Sequence, residues 1–357
     1  MGAGGTATGG TGPDGGGRPG LKPAPPDADA TSRHPSESPV RSRAVAGRRS
    51  MATCTPRKVR LSWKPTEFSI IFRMTILVTG ATGKTGRHVV RELLSSKKEV
   101  RILTRRPDEV RPPSGVTVVQ GDLTAPESLS KALDGVERAF LFPVLHAIPE
   151  FAQAARRAGV RRVVLFTGAW AAGHTERDRG SWVYPRYRAA EAALSDSGLA
   201  EWTVLRPAPF ATNALWWAPA IRADGVVRLP HPEAVCPVIH EADLAAAVTR
   251  TLLDDGHHGA HYTLTGPAHI SQAEQVAAIG EAIGRPLRIE RIPAEQWRTE
   301  AERFLRPGIV SDLLREWSDT ERDPSTALPV LPTVAELTGR PARTFAQWAG
   351  DHTHDFA

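Results

Sequence analysis

Val78-Thr79-Gly80-Ala81-Thr82-Gly83-Lys84-Thr85-Gly86 is the stretch that decides how this chain is read. The apolar run Ile76-Leu77-Val78 leads into it, and residues 87–95 follow with Val89, Val90, Leu93 and Leu94 on one helical face. That order predicts a strand, a glycine turn and a helix. A dinucleotide's pyrophosphate needs bare backbone at a helix N-terminus, where unpaired N–H groups and the helix dipole attract anions. In this spacing Gly80 permits the tight turn, Gly83 the close approach and Gly86 close helix–strand packing. Three glycines alone also fit a plain structural turn, but the strand before and the helix after favour the dinucleotide reading.

Further along, the same alternation repeats. Apolar runs at 100–104, 116–119, 138–142, 162–166 and 202–206 read as strands, and 128–133, 148–158 and 187–195 as helices between them. Repeated β-α units predict a Rossmann-type, doubly wound parallel sheet with helices on both faces and ligands beyond the carboxyl ends of its strands. After Pro207 the pattern becomes irregular, with helices expected over 241–253, 271–283 and 342–349. Ser271 with Glu274 reads as a capping box. The expected organisation is a tail over 1–73, an NAD(P)-binding domain over 74–206, a smaller interleaved α/β substrate-binding region over 207–350 and a disordered end over 351–357.

Charge is unevenly spread over the 357 residues. Residues 1–73 hold 12 Lys and Arg against 5 Asp and Glu, leaving 33 against 34 in the remainder. The folded part is therefore near neutral, which argues against a nucleic-acid partner. Half of the first twenty residues are glycine, and the first fifty have too few large aliphatics to offset the entropy of ordering them. Disorder is expected there. Met74 reads as the native start, with residues 1–73 an over-extension of the coding sequence; an organellar targeting peptide is the alternative for the basic 51–73 stretch. The two cysteines, Cys54 and Cys236, make neither a metal pattern nor a disulfide framework, which fits a reducing compartment and predicts a cytoplasmic protein without metal. No apolar run reaches the roughly 18–20 residues of a membrane span.

The second strand chooses between the two dinucleotides. A carboxylate at its end, about 20 residues past the glycines, would hold a ribose 2′-hydroxyl; this chain has Thr104-Arg105-Arg106 there. A guanidinium chelates a 2′-phosphate that a carboxylate would repel, so NADP (as NADPH) is expected, with Arg105 as reader and Arg106 and Lys84 as further positive charges. Solvated surface arginines are the alternative. Asp122, after the third strand, either accepts a hydrogen bond from the adenine amine or caps a turn.

Taken together, VTGATGKTG (78–86), QGDL (120–123), SGLAEWTVLRPAPFATN (197–213), VIHEADLAAAV (238–248), HYTLTGPAHISQAEQVAAIGEAIGRP (261–286) and TGRPARTFAQW (338–348) resemble the NmrA-like group of atypical short-chain dehydrogenases/reductases. That group holds NADPH-dependent quinone, isoflavone and triphenylmethane-dye reductases, and also regulators that bind dinucleotide without turnover. The resemblance implies that Gly80, Thr82, Gly83, Lys84, Thr85 and Gly86 line the phosphates. Phe142 and Pro143 would flank the adenosine half, and Thr167 and Gly168 would approach the nicotinamide. Pro207–Phe210 would lie against nicotinamide and substrate, while Asn213, Trp216 and Trp217 rim the substrate pocket. Asp243 is expected to be structural.

Ordinary short-chain dehydrogenases place Tyr and Lys at i, i+4 on one helix face, with a hydroxyl partner from the fifth strand. Tyr184, Arg188 and Thr167 are the candidates at those positions. Arg188 stands where lysine is usual and is no drop-in substitute, and Tyr184 precedes Pro185, which disfavours a helical residue before it. Tyr187, beside Arg188 and Glu191, is the alternative phenol. A quinone needs no such acid, because an aligned hydride donor and water suffice. The reading is an NADPH-dependent oxidoreductase acting as monomer or homodimer on a small apolar or quinone-like acceptor, with a dinucleotide-sensing regulator as the alternative.

Overall fold

A computed structural model describes residues 74–357; the expectations for the tail over 1–73 and for Cys54 lie outside the described residues. β-branched and apolar runs form β1 (Thr75–Thr79), β2 (Glu99–Thr104), β3 (Val116–Gln120), β4 (Val136–Leu141), β5 (Arg162–Phe166), β6 (Glu201–Pro207), β7 (Val226–Leu229), β8 (Val235–Cys236), β9 (Ala260–Leu264) and β10 (Ile270–Ser271), and the exposed, charged β11 (Arg288–Arg291) pairs with β7. Seven of them make one parallel sheet in the order β3-β2-β1-β4-β5-β6-β9. The register pairs Val78 with Ile102 on one side and Phe140 on the other. From β1 the chain builds outward to β3 and then returns to β4, so strand order reverses beside β1. The crevice of such a fold opens there.

Helices α1 (Gly86–Ser95), α2 (Leu129–Leu133), α3 (Ile148–Arg157), α4 (Glu176–Arg179), α5 (Tyr184–Ser195), α6 (Ala218–Ala223), α7 (Glu241–Leu253), α8 (Gln272–Ala282), α9 (Ala294–Ala301), α10 (Pro307–Arg322), α11 (Thr333–Thr338), α12 (Phe345–Asp351) and α13 (Thr353–Phe356) complete the order. Side chains alternate across a strand. Leu77, Leu141 and Leu165 therefore pack under α2, α3 and α5, while Ile76, Val78, Phe140, Val164 and Phe166 pack under α1 and α7. Arg138 and Arg162 donate to the last carbonyls of α7, including Leu253 O and Leu252 O at 3.0 Å, which caps that helix with positive charge. A third core holds α6, α8, α12 and α13 together around Trp348.

Four local outcomes differ from the sequence reading. Helix α5 begins at Tyr184, not at 187, because Pro185 falls in its first turn, where no N–H is needed. The irregular region contains α9 and the 16-residue α10, and β9 adds a seventh strand. Residues 351–357, expected to be disordered, carry α13, with Phe356 only 1% exposed against Trp348. Burial of that ring ties the C-terminus down. The Ser271–Glu274 capping box is present, with Glu274 N–H donating to Ser271 Oγ at 3.1 Å.

Candidate functional site

Strands β1 to β6 of the parallel array each deliver one expected site segment at the carboxyl end. After β1, Gly80 sits at φ +63°, open to glycine and strained for other residues. A Cβ there would come within 2.9 Å of Phe142 Cβ, and one on Gly86 within 2.1 Å of Gly80 O. Gly83 N–H closes the turn on Gly80 O at 3.0 Å. Gly80, Thr82, Gly83 and Lys84 face solvent, whereas Thr85 and Gly86 are buried beneath the loop. The cradle is thus bare backbone, the surface a pyrophosphate requires. Thr79 fixes it from below: its Oγ1 donates to Phe140 O (3.2 Å) and accepts from Phe142 N–H (2.8 Å).

Between the ends of β1, β2 and β3 lies a cleft of about 450 Å³, lined by Gly80, Thr82, Arg105, Arg106 and Asp122 among others. Arg105 is exposed on it and makes no side-chain hydrogen bond among the described residues. Arg106 is paired with Glu109 at 2.9 Å. Asp122 Oδ1 accepts from Thr124 N–H at 2.9 Å and from its hydroxyl at 2.8 Å. Those bonds hold the carboxyl below its ordinary value, so it closes a turn at the cleft wall. Phe142 is 37% exposed above Gly80; Val144, not Pro143, lines the cleft.

Lys84 points elsewhere than expected. Its Nζ donates to Thr212 O at 3.3 Å, and burial lowers its pKa. The bond ties the glycine loop to the 209–217 segment after β6, not to Arg105. That segment is anchored to the start of α7, with Ala211 N–H donating to Ile239 O at 2.9 Å. It walls a second cavity of about 260 Å³. Phe210, Asn213, Trp216 and Trp217, expected at the substrate pocket, all line it. Trp297 and Trp317, which the sequence reading missed, complete it from α9 and α10; their rings meet at 4.7 Å. Aromatic residues spaced through 297–317 were the available signal. Trp216 and Phe304 form an edge contact of 5.9 Å at the cavity. Cys236 also lines the cavity, and burial pushes its thiol up, leaving it inert.

The expected catalytic trio is not assembled as drawn. Glu191, 2% exposed, accepts from Thr167 Oγ1 (2.9 Å), Arg188 Nη1 (2.9 Å) and Arg206 Nη2 (2.6 Å). Thr167 and Arg188 are therefore engaged by a buried carboxylate that locks α5 to β5 and β6. Tyr184 makes no hydroxyl bond among the described residues and lies against Gly173. The phenol beside Gly168 is Tyr187's: a Cβ on Gly168 would lie 3.1 Å from its hydroxyl. Burial raises the Tyr187 pKa and keeps the ring neutral. Asp243, near the start of α7, accepts from Arg343 N–H at 2.6 Å, a structural tie to the C-terminal segment.

Another buried carboxylate went unread. Glu241, 0% exposed, accepts from Trp348 Nε1 (3.0 Å) and pairs with His352 Nε2 (2.7 Å). Burial opposes charge on His352, yet its bonds to Glu241 and Asp355 raise its pKa above the ordinary value. No group of three or more potential metal ligands exists among the described residues. None of the described helices is long and apolar enough to cross a membrane.

The NAD(P)H-binding family matches residues 80–255. A (4-alkanoyl-5-oxo-2,5-dihydrofuran-3-yl)methyl phosphate reductase of Streptomyces griseus is 38% identical over 286 residues, spanning 79% of this chain and 99% of its own. An NAD(P)H azoreductase of Xenophilus azovorans is 35% identical over 290 residues, with 79% and 99% covered. In fold, the chain superposes on the NADPH-dependent quinone oxidoreductase of Escherichia coli in complex with NADPH. The TM-score is 0.65 at 24% identity, covering 77% of this chain and 99% of that one.

Proposed function

We propose for this chain, which belongs to the NAD(P)H-binding family, the function of an NADPH-dependent oxidoreductase acting on a small, flat, apolar or quinone-like acceptor. The observation that carries it is the Lys84–Thr212 bond, which joins the glycine cradle to the aromatic wall of the 260 Å³ cavity. The reductase names of both relatives support the same chemistry.

The bare backbone of Gly80–Gly83 holds the phosphates, and Arg105, whose guanidinium makes no hydrogen bond among the described residues, binds the 2′-phosphate through paired hydrogen bonds. Bound there, NADPH supplies a hydride. Phe210, Trp216 and Trp217 press the acceptor's ring into one plane and exclude water from its faces. Holding the acceptor so oriented supplies much of the acceleration. With Thr167 and Arg188 occupied by Glu191, the proton that accompanies hydride transfer to a quinone comes from water.

The test mixes purified protein with NADPH and a panel of quinones and enals and follows nicotinamide absorbance. Acceptor-dependent oxidation of NADPH is expected. Tight NADPH binding with no oxidation across the panel would replace this reading with that of a dinucleotide sensor.

A further inference from the structure

Polar groups on the aromatic cavity say what kind of acceptor it takes. Gln272 and Gln275 stand one turn apart on α8, each 5% exposed, and both line the cavity. Gln272 Nε2 is buried with no hydrogen-bond partner. The Gln275 carboxamide makes no hydrogen bond among the described residues. A buried amide left unpaired is costly, and turning the Gln272 carboxamide so that its NH2 meets a ligand oxygen recovers the loss. The backbone holds Gln272 in place: its N–H donates to Ala234 O at 3.1 Å, and the next residue's to Pro232 O at 2.8 Å.

Charge around the cavity is the second observation. Arg228 is the single basic residue among those lining it, and it is paired with Asp224 at 3.2 Å and Glu290 at 3.1 Å. Glu300 adds a carboxylate to the lining. No unpaired cation is offered to an anionic group, in contrast to the phosphate ester named for the Streptomyces griseus relative. Four tryptophans supply apolar faces.

Resting on the reading that this cavity receives the acceptor, we propose that Gln272, seconded by Gln275, donates a hydrogen bond to a carbonyl oxygen of that acceptor. The site then selects uncharged planar carbonyl compounds over hydrocarbons of the same shape and over anionic analogues. Gln272 acts here as a specificity residue at the acceptor's carbonyl oxygen.

Calorimetric titration of the full chain, saturated with NADP, tests this with 1,4-naphthoquinone, naphthalene and 1,4-naphthoquinone-2-sulfonate. Gln272→Met keeps the side chain's length and removes its donor. Its expected effect is a roughly tenfold weaker affinity for the quinone and an unchanged affinity for naphthalene. In turnover, KM for the quinone should rise while KM for NADPH holds. Equal changes for both probes, or none, would overturn the role of Gln272 and leave the acceptor site standing. Should the variant fail to fold, the wild-type protein still decides: sulfonate binding as tight as the parent quinone's would overturn the selection against anions. Failure of the wild-type protein to bind any of the three would instead overturn the acceptor-site reading.

Discussion

Arg105 follows β2 and Glu191 lies within α5; both are charged side chains, and their surroundings give them opposite work. Arg105 is exposed on the cleft after β1, β2 and β3 and makes no hydrogen bond among the described residues, with the Asp122 carboxylate as its electrostatic neighbour. Reversing its charge should weaken NADPH binding by roughly a hundredfold, the loss of paired charge-assisted bonds, while NADH binding changes little. Fluorescence titrations of Arg105→Glu with both cofactors check this; equal losses would show that Arg105 does not read the phosphate. Glu191 is buried under two arginines and a threonine, so it fixes structure, and Tyr184 is left without its expected partners. Tyr184→Phe should leave kcat for a quinone within severalfold of wild type, whereas loss of a true general acid costs about 10²–10⁴-fold. The glycine positions and Arg105 were legible in the sequence because each is set by the strand just before it. Lys84 was not, because its partner Thr212 is 128 residues away.

Elements built from one local pattern were read well, and those that depend on distant packing were not. The capping box of α8 sits within four residues and was visible. Helix α10 was not: its inward face meets β8 and the aromatic cavity, and its buried positions include Asp312 and Glu316 beside Val310 and Leu314. Polar residues there break the apolar stripe by which a helix is recognised. Burial raises the pKa of Glu316 to about 7, against the pull of Arg177 and the Trp170 Nε1 bond at 3.3 Å. The folded state therefore keeps a proton that the unfolded chain gives up near pH 4.5. Stability is present in full below that pH and is lost as pH rises toward 7, by on the order of 3 kcal/mol. Melting curves across this range should show a larger loss in the wild-type protein than in Glu316→Gln; an identical pH dependence in both would contradict the buried, protonated carboxyl.

At the scale of the molecule, the parallel sheet sets out a row of loops at its carboxyl edge, and the C-terminal half adds a second cavity whose 209–217 wall is tied to the glycine loop by the Lys84–Thr212 bond. The dinucleotide cleft is made by the first three strands. The aromatic cavity is made by the 209–217 segment with α8, α9 and α10. Repeated β-α units made the sheet legible. The cavity was legible only in its first wall, since Phe210, Asn213, Trp216 and Trp217 are consecutive with β6 while Trp297 and Trp317 arrive from far along the chain. In the proposed reaction, hydride passes from a nicotinamide held beside Gly168 and Phe210 to an acceptor in the aromatic cavity. Rapid mixing of the protein–NADPH complex with 1,4-naphthoquinone in a single turnover tests it most directly. Nicotinamide absorbance should disappear in one exponential whose rate saturates with quinone concentration. Absorbance that persists while NADPH and the quinone are both bound would contradict the account.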